Sequence, residues 1–199
     1  HGYTRDRLTY VHTGSATTVE RFFVDGNGNT AIITDRTPAA LTASDNNLWQ
    51  FDTVVTSATS TNTLVAQVAQ NLDCICNSQG GQLFVGALFG TADLTEVTTV
   101  PANWDCTGGI VTLHPYLVAF GQDGYVAWCV PGTPTNFTGA GAGNAYVTGQ
   151  KIVRGLPLRG GSGSTPSGLL WSTDSLIRMS YIGGVPVFDF DEISTQISV

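Results

Sequence analysis

The segment DGNGNT, which begins at Asp25, places oxygen-bearing side chains at alternate positions, as calcium-binding loops do. Asp25, Asn27 and Asn29 would supply the ligands. An EF-hand loop also requires Gly at its sixth position and Glu at its twelfth, where this chain has Thr30 and Arg36. A glycine-rich connection between two β-branched segments is typical of a β-hairpin. The segment is therefore predicted to be a hairpin turn.

A second candidate for chemistry is the acidic group formed by Asp189, Asp191 and Glu192. Paired carboxylates can carry out general acid and base catalysis. Residues 189 and 191 would share one face of a strand, because side chains alternate along it, and Phe188 and Phe190 would occupy the other face. This alternation is typical of a half-buried strand with one face in water. A structural role is therefore predicted for these carboxylates.

The four cysteines are Cys74, Cys76, Cys106 and Cys129. Their spacing gives neither a CxxC pair nor a regular disulfide ladder, so free thiols are predicted. Cys74 and Cys76 would point to one face of a strand, and a metal site completed by Cys106 and Cys129 is the alternative.

No motif of a catalytic or nucleotide-binding class is complete in this sequence. GAGAGN lacks the third Gly of the dinucleotide fingerprint and precedes a strand-like AYVTG, and GGSGSTPSG contains neither GxSxG nor a GKS/T motif. His1, His12 and His114 are scattered and form no HExxH motif. The sequence therefore predicts a protein that is not an enzyme and that uses no cofactor or metal.

Half of the cationic side chains lie near one another in the C-terminal part of the chain: Lys151, Arg154, Arg159 and Arg178. Only Asp174 interrupts them with a negative charge. A basic strip of this kind can contact nucleic-acid phosphates. The alternative, which the acidic remainder of the chain favours, is that these residues form ion pairs within the protein or with a neighbouring subunit.

The composition argues against two broad classes of protein. The chain has 199 residues, a formal net charge of -7 and 12% charged residues. It lacks the clustered basic excess of a general nucleic-acid-coating surface. No stretch approaches 18 consecutive apolar residues, so no membrane-spanning helix is predicted. Both ends resemble internal sequence, and we expect residues 1–199 to be a single all-β segment of a larger, propeller-containing subunit.

Short β-rich segments separated by turn residues predict an all-β fold of antiparallel hairpins. The segment STNTLVAQVAQNL is assigned to a strand, because β-branched residues alternate with polar ones. Similar segments begin near residues 48, 110 and 169, which indicates a repeat of about 60 residues. A partial copy begins at Leu8, about 40 residues upstream of the first. Such repeats are typical of β-propeller blades, with a β-sandwich as the alternative. The stretch 155–168 is predicted to be a surface excursion without regular strand pairing.

Residues 147–199 carry a resemblance to a known family. The motifs are the loop GLPLRGG, the segment PSGLLWSTDSLIRMSYIGG and the closing FDFDEISTQISV. They resemble structural proteins of short-tailed bacteriophages, of the tail nozzle or packaged-DNA-stabilisation type. The segments LWQFD and GGIVTLHPYLVAFGQDGYV fit this family less closely, and the first 45 residues fit it only vaguely.

This resemblance implies a β-propeller-like platform within a ring at the end of a phage tail, where DNA leaves and the channel stays closed until infection. The implied partners are identical subunits, other tail and portal-adaptor proteins, and the packaged DNA. The implied location is the virion tail, after assembly in the host bacterial cytoplasm. An acidic chain with few cations suits such a channel, because each Lys or Arg contact with phosphate would slow the passage of DNA.

A carbohydrate-binding β-domain of a tail fibre or cell-surface protein is the main alternative function. It would stack aromatic rings on sugars, and the candidates are Trp49, Trp104, Trp128 and Trp171. Most of these residues lie in alternating strand segments, where packing in the core is the simpler explanation.

A glycan-degrading hydrolase is a further alternative. It would need two carboxylates about 5 to 10 Å apart in a groove. The sequence does not place Asp189 or Asp191 against distant partners such as Asp52 or Asp105.

Overall fold

The computed structural model describes residues 2–5, 8–41, 47–55, 62–70, 81–87, 91–158 and 165–196. Within these residues the chain consists of β-strands and loops, with a single 3-10 turn at Gln122–Gly124 as the helical element. In the same part of the chain, no helix is long and apolar enough to cross a membrane. The prediction of an all-β fold is confirmed.

The described strands form four sheets of four strands, and within each sheet every strand pairs antiparallel with the next one along the chain. The first sheet contains β1 (Gly2–Arg5), β2 (Leu8–Gly14), β3 (Val19–Val24) and β4 (Thr30–Asp35). The second contains β5 (Asn47–Val55), β6 (Asn62–Gln70), β7 (Leu83–Ala87) and β8 (Thr95–Glu96). The third contains β9 (Gly109–Leu113), β10 (Tyr116–Phe120), β11 (Tyr125–Trp128) and β12 (Gly143–Tyr146). The fourth contains β13 (Ile152–Pro157), β14 (Ser167–Ser172), β15 (Leu176–Tyr181) and β16 (Phe188–Ser194).

The sheets are stacked face to face, so the second and third sheets are covered on both sides. In β10, Leu117 and Ala119 pack toward the second sheet, while Val118 and Phe120 pack toward the fourth. Side chains alternate along a strand, and a strand buried on both faces is therefore apolar throughout, as YLVAF is. The described strands form four sheets, not the two of the β-sandwich alternative.

The segment DGNGNT is the predicted hairpin turn, between β3 and β4. The Asp25 carboxylate holds it together by accepting hydrogen bonds from the backbone N–H groups of Asn27 and Asn29, at 2.8 and 2.9 Å. The Asn29 side-chain amide donates a third hydrogen bond to it. These hydrogen bonds, that of the Asn29 side chain most of all, lower the pKa of Asp25 below its ordinary value.

Two predictions are wrong in part: the repeat of about 60 residues, and the surface excursion over residues 155–168. The first strands of the four sheets begin at Gly2, Asn47, Gly109 and Ile152, so the spacing is uneven. The segment near 169 begins the second strand of its sheet, because β13 continues through Gly155 and Pro157. Proline is tolerated there since β13 is at the edge of its sheet and needs no N–H group on its outer side. Residues 159–164 lie outside the described residues.

Glycine at position 155 allows β13 to approach the third sheet. A Cβ atom at Gly155 would lie 2.8 Å from side-chain atoms of both Phe120 and Val111, which is closer than packed atoms tolerate. The missing side chain thus explains why a residue disfavoured in strands occupies a paired position of β13.

Two side chains of β5 bind the free edge of β9 and join the second sheet to the third. The Gln50 amide donates to the Gly108 carbonyl and accepts from the Ile110 N–H group, at 3.1 and 3.2 Å. Asp52 Oδ2 accepts from the Thr112 N–H group at 2.8 Å. These contacts satisfy backbone groups that an edge strand leaves without a strand partner.

We expect Asp52→Ala to lower the free energy of unfolding by about 1–2 kcal/mol, because the Thr112 N–H group loses its acceptor in a partly buried place. Asp52→Asn retains a side-chain oxygen and should lose less. Urea denaturation of both variants measures the difference. Asp189→Ala, at an exposed position of β16, is the control. Equal midpoints for the Asp52→Ala and Asp189→Ala variants would contradict the proposed edge contact.

Candidate functional site

The structure places the predicted basic residues in different environments. Lys151 directly precedes β13 and is 8% exposed, whereas Arg154 lies on β13 and is exposed. Arg178 lies on β15, with half of its side chain exposed. Arg159 lies outside the described residues. The described residues therefore form no continuous exposed strip, since Lys151 faces inward. A role of these residues in nucleic-acid or subunit contacts stays a prediction.

Arg178 forms an ion pair with Asp191 across the β15–β16 ladder. The distance from Nη2 to Oδ2 is 2.6 Å, and the two residues lie directly opposite each other. The predicted pairing of this cation with an acidic residue of the same protein is therefore confirmed. Both side chains are about half exposed, so we expect the pair to add at most about 1 kcal/mol to stability.

Of the remaining carboxylates of β16, Asp189 follows the alternation predicted for a half-buried strand. Glu192 does not, because it lies opposite the buried Ile177, on the same side of the strand as Phe188 and Phe190. Asp189 and Glu192 are exposed, whereas Phe188 is buried in the core between the third and fourth sheets. Phe190 packs against the same core. The geometry therefore assigns Asp189 to the solvated face of the strand.

Lys151 lies where the third and fourth sheets are joined. Its carbonyl accepts a hydrogen bond from the Thr173 N–H group, and the next residue, Ile152, donates to the Gly121 carbonyl. Burial raises the pKa of nearby Asp105, the negative charge of Asp123 raises it further, and the positive charge of Lys151 opposes the shift. Lys151 therefore acts electrostatically on a partly buried carboxylate of its own chain.

The raised pKa of Asp105 gives a pH-dependent prediction. Between the ordinary Asp pKa, about 3.9, and the raised value, the folded state binds more protons, so this group makes stability fall as pH rises. We expect Asp105→Asn to remove that loss and to be more stable than wild type at pH 7. Urea midpoints from pH 3 to pH 8 test this. A difference between the two proteins that does not change with pH would contradict it.

A groove of about 380 Å³ runs between the first strands of the second, third and fourth sheets. Its lining includes Gln50 and Phe51 of β5, Ile110 of β9 and Arg154 of β13. Among the described residues that line the groove, Arg154 is the only cation. These lining residues include neither paired carboxylates nor a nucleophile with a base, so they form no catalytic arrangement.

The two described cysteines are buried free thiols. Cys106 and Cys129 both pack in the core between the second and third sheets. Burial raises the pKa of both, and that of Cys129 reaches about 11. The prediction of free thiols is confirmed for these residues, and Cys74 and Cys76 lie outside the described residues. Among the described residues, no group of three His, Cys, Asp or Glu side chains could hold a metal ion.

Most of the tryptophans proposed for sugar stacking contribute to packing. Trp49 stacks on Phe51, with ring centres 5.9 Å apart, and Trp128 is 3% exposed. Trp104 packs edge-on against Phe137. Trp171 differs, because it is half-buried on the face of the fourth sheet that points away from the third.

Sequence reasoning missed a buried cationic residue, Arg36, between the first two sheets. Arg36 is 1% exposed, its Nε donates to the Ala92 carbonyl at 3.0 Å, and its Nη1 lies 3.5 Å from His12 Nε2. Burial, assisted by the positive charge of Arg21, lowers the pKa of Arg36 to about 10. An arginine that directly follows a strand usually lies in solvent, and no neighbouring residue in the sequence indicates that Arg36 is buried. Its contacts attach the connection between β7 and β8 to the first sheet.

Comparison of the chain with known protein families, with curated proteins and with solved structures finds no match.

Proposed function

We propose that this chain is a structural component of a bacteriophage virion, namely part of a tail nozzle subunit that borders the DNA exit channel and helps to retain packaged DNA. Its proposed partners are identical subunits in a ring, other tail and portal-adaptor proteins, and the DNA that passes through. The proposed location is the tail of the virion, after assembly in the cytoplasm of the host bacterium.

One observation carries this proposal beyond the sequence resemblance. Four consecutive four-stranded antiparallel sheets are stacked face to face, and the first strands β5, β9 and β13 lie side by side. Successive blades of a β-propeller have this arrangement, with first strands around a central axis. The proposed platform is therefore β-propeller-like.

The electrostatics of the described residues support a conduit more than a nucleic-acid clamp. A clamp gains affinity from several exposed cations that displace counterions from phosphates. Here Lys151 is buried, Arg178 is paired with Asp191, and the whole chain has a formal net charge of -7. Such a surface would let DNA pass without strong binding.

Antibody labelling of phage particles from the natural source tests the proposal. Gold-labelled antibodies raised against this chain should mark the tail end of intact particles in electron micrographs. A control antibody against the major capsid protein should mark the head. Particles that carry the head label but never the tail label would overturn the proposal. Specific binding on a glycan array, lost in Trp171→Ala, would favour the carbohydrate-binding alternative.

A further inference from the structure

A cavity of about 310 Å³ lies at the β8 edge of the second sheet. It is bounded by the start of β7, the end of β8 and the connection that leads to β9. Its lining includes Gln82, Glu96, Thr98 and Trp104, and it shares no residue with the groove that Arg154 lines. We call it the β8 cavity. Its volume is within the range of small-ligand sites, which begins at about 300 Å³.

The indole ring of Trp104 forms a fixed wall of the β8 cavity. Its Nε1–H group donates to the Gly81 carbonyl at 3.0 Å, and its ring packs edge-on against Phe137, with ring centres 5.0 Å apart. These two contacts hold the ring in one place. The residue is half-buried, so part of it remains accessible to a ligand. Tryptophan is the aromatic residue that attracts a cation most strongly over its ring.

Glu96 is the only charged side chain in the described lining. Its Oε1 accepts a hydrogen bond from Gln82 Nε2 at 3.2 Å, and the same nitrogen donates to the Ala40 carbonyl at 2.7 Å. Its Oε2 has no hydrogen-bond partner among the described residues, so half of the carboxylate remains available to a ligand. Because Glu96 is half-buried, salt screens a cation paired with it less than on the open surface.

The side chains of the β8 cavity offer acceptors to a ligand and few donors. The two hydrogens of Gln82 Nε2 and the indole N–H group of Trp104 are already engaged. The Thr98 hydroxyl is the one further side-chain donor in the described lining. A sugar hydroxyl both donates and accepts, and an anion accepts only, whereas a guanidinium donates through five N–H groups and accepts nothing. The lining therefore favours a cationic donor over a sugar or an anion.

We propose that the β8 cavity binds a guanidinium group, which lies against Trp104 and donates to Glu96 Oε2. A guanidinium fits better than an ammonium, because its planar fork matches a carboxylate and also stacks on aromatic rings. Free arginine and an arginine side chain of another polypeptide both carry this group. The described lining holds no cation that would pair with the α-carboxylate of free arginine, so it favours the side chain. This site goes beyond the proposed tail function and does not depend on it.

Titration of the full chain with N-acetyl-arginine amide tests the site, because this probe presents the side chain as a polypeptide does. We expect the NMR signals of the Trp104 indole N–H and the Thr98 amide N–H to shift, with a dissociation constant of about 1 mM. N-acetyl-citrulline amide has nearly the same shape without the charge and should bind at least about tenfold more weakly. Free arginine should bind no more tightly than the capped probe, and tighter binding would make a free amino acid the source of the guanidinium.

Two variants locate the bound probe in the β8 cavity. Glu96→Gln keeps an acceptor for Gln82 but removes the charge, and it should raise the dissociation constant at least about tenfold. Thr98→Lys adds a like charge at an exposed residue of the lining and should also weaken binding. Glu192→Gln makes the same change of charge at an exposed residue of β16, outside the cavity, and should bind the probe as wild type does.

The other outcomes each overturn the proposal. The arginine probe would be excluded as a ligand if it shifted neither signal at about 20 mM, far above the expected constant. Equal binding of the arginine and citrulline probes would show that the cavity does not recognise the charge. Shifts of the same signals with D-glucose, but not with the arginine probe, would assign the cavity to a sugar. Binding that Glu96→Gln and Thr98→Lys both leave unchanged would place the probe elsewhere on the chain.

Discussion

Gly108→Ala is expected to lower the free energy of unfolding by about 3 kcal/mol, at the upper end of the range for overpacked sites. A Cβ atom at Gly108 would lie 1.9 Å from the backbone oxygen of Ile152 and 3.0 Å from that of Phe120. Backbone atoms cannot rotate away as a flexible side chain can. The third and fourth sheets would have to separate around Gly108, and the melting temperature should fall by about 6 to 12 °C.

Gly149→Ala is the matched control for this prediction. Gly149 is exposed, and a Cβ atom there would meet nothing within 4 Å. We expect its melting temperature to remain within about 2 °C of wild type, because surface changes of this kind alter stability little. Calorimetry of the two variants measures both melting temperatures. Equal melting temperatures for Gly108→Ala and Gly149→Ala would show that the two sheets do not approach as described.

Phe188→Ala is expected to cost about 3 to 5 kcal/mol, because a large aromatic side chain is removed from a buried site. Phe188 is 1% exposed, and its ring packs edge-on against Tyr116 and Trp128, with ring centres 5.0 and 5.4 Å apart. The ring of Tyr181 lies 5.9 Å away. This residue thus connects β16, the last strand, to the third sheet.

Phe188→Leu should cost less than Phe188→Ala, since it keeps most of the apolar contact and loses only the aromatic geometry. Val185→Ala, at an exposed residue before the same strand, should leave stability unchanged. Urea denaturation of the three variants gives the order of their unfolding free energies. A cost below about 1 kcal/mol for Phe188→Ala, well under the range for buried aromatic residues, would mean that the fourth sheet does not pack on the third.

The strands and most turns could be predicted from the sequence, because they depend on local chemistry. DGNGNT forms the hairpin expected from its glycines and Asp25, and the alternation of Phe188 with Asp189 gives the expected half-buried strand. The segment assigned to a strand in place of a helix contains β6. In each case the information lies within a few residues of the element that it describes.

Features that depend on contacts between sheets could not be predicted in this way. Gly155 and Pro157 are residue types typical of a loop. Both nevertheless pair with β14, because β13 is the edge strand of its sheet. Gln50 and Asp52 bind backbone groups about 60 residues further along the chain, and nothing in the local sequence indicates these contacts. Such pairings depend on the order of the sheets, which local patterns do not contain.

The basic strip shows the same limit for the candidate site. Proximity in sequence grouped Lys151 with Arg154 and Arg178, but the junction between two sheets buries Lys151. The irregularity in β13 between residues 152 and 154 also changes which face each side chain takes. A cluster of charged residues along the sequence predicts a charged surface only when the strand register is known, because the register decides which face each side chain takes.

We propose that this chain belongs to a ring-forming subunit of a virion tail. Native mass spectrometry of the protein released from its natural particles tests it most directly, with a denaturing measurement of the same sample to give the subunit mass. We expect a closed assembly of identical subunits, each at least as heavy as this chain. A single free copy of the chain, with no heavier assembly at any concentration, would contradict the claim.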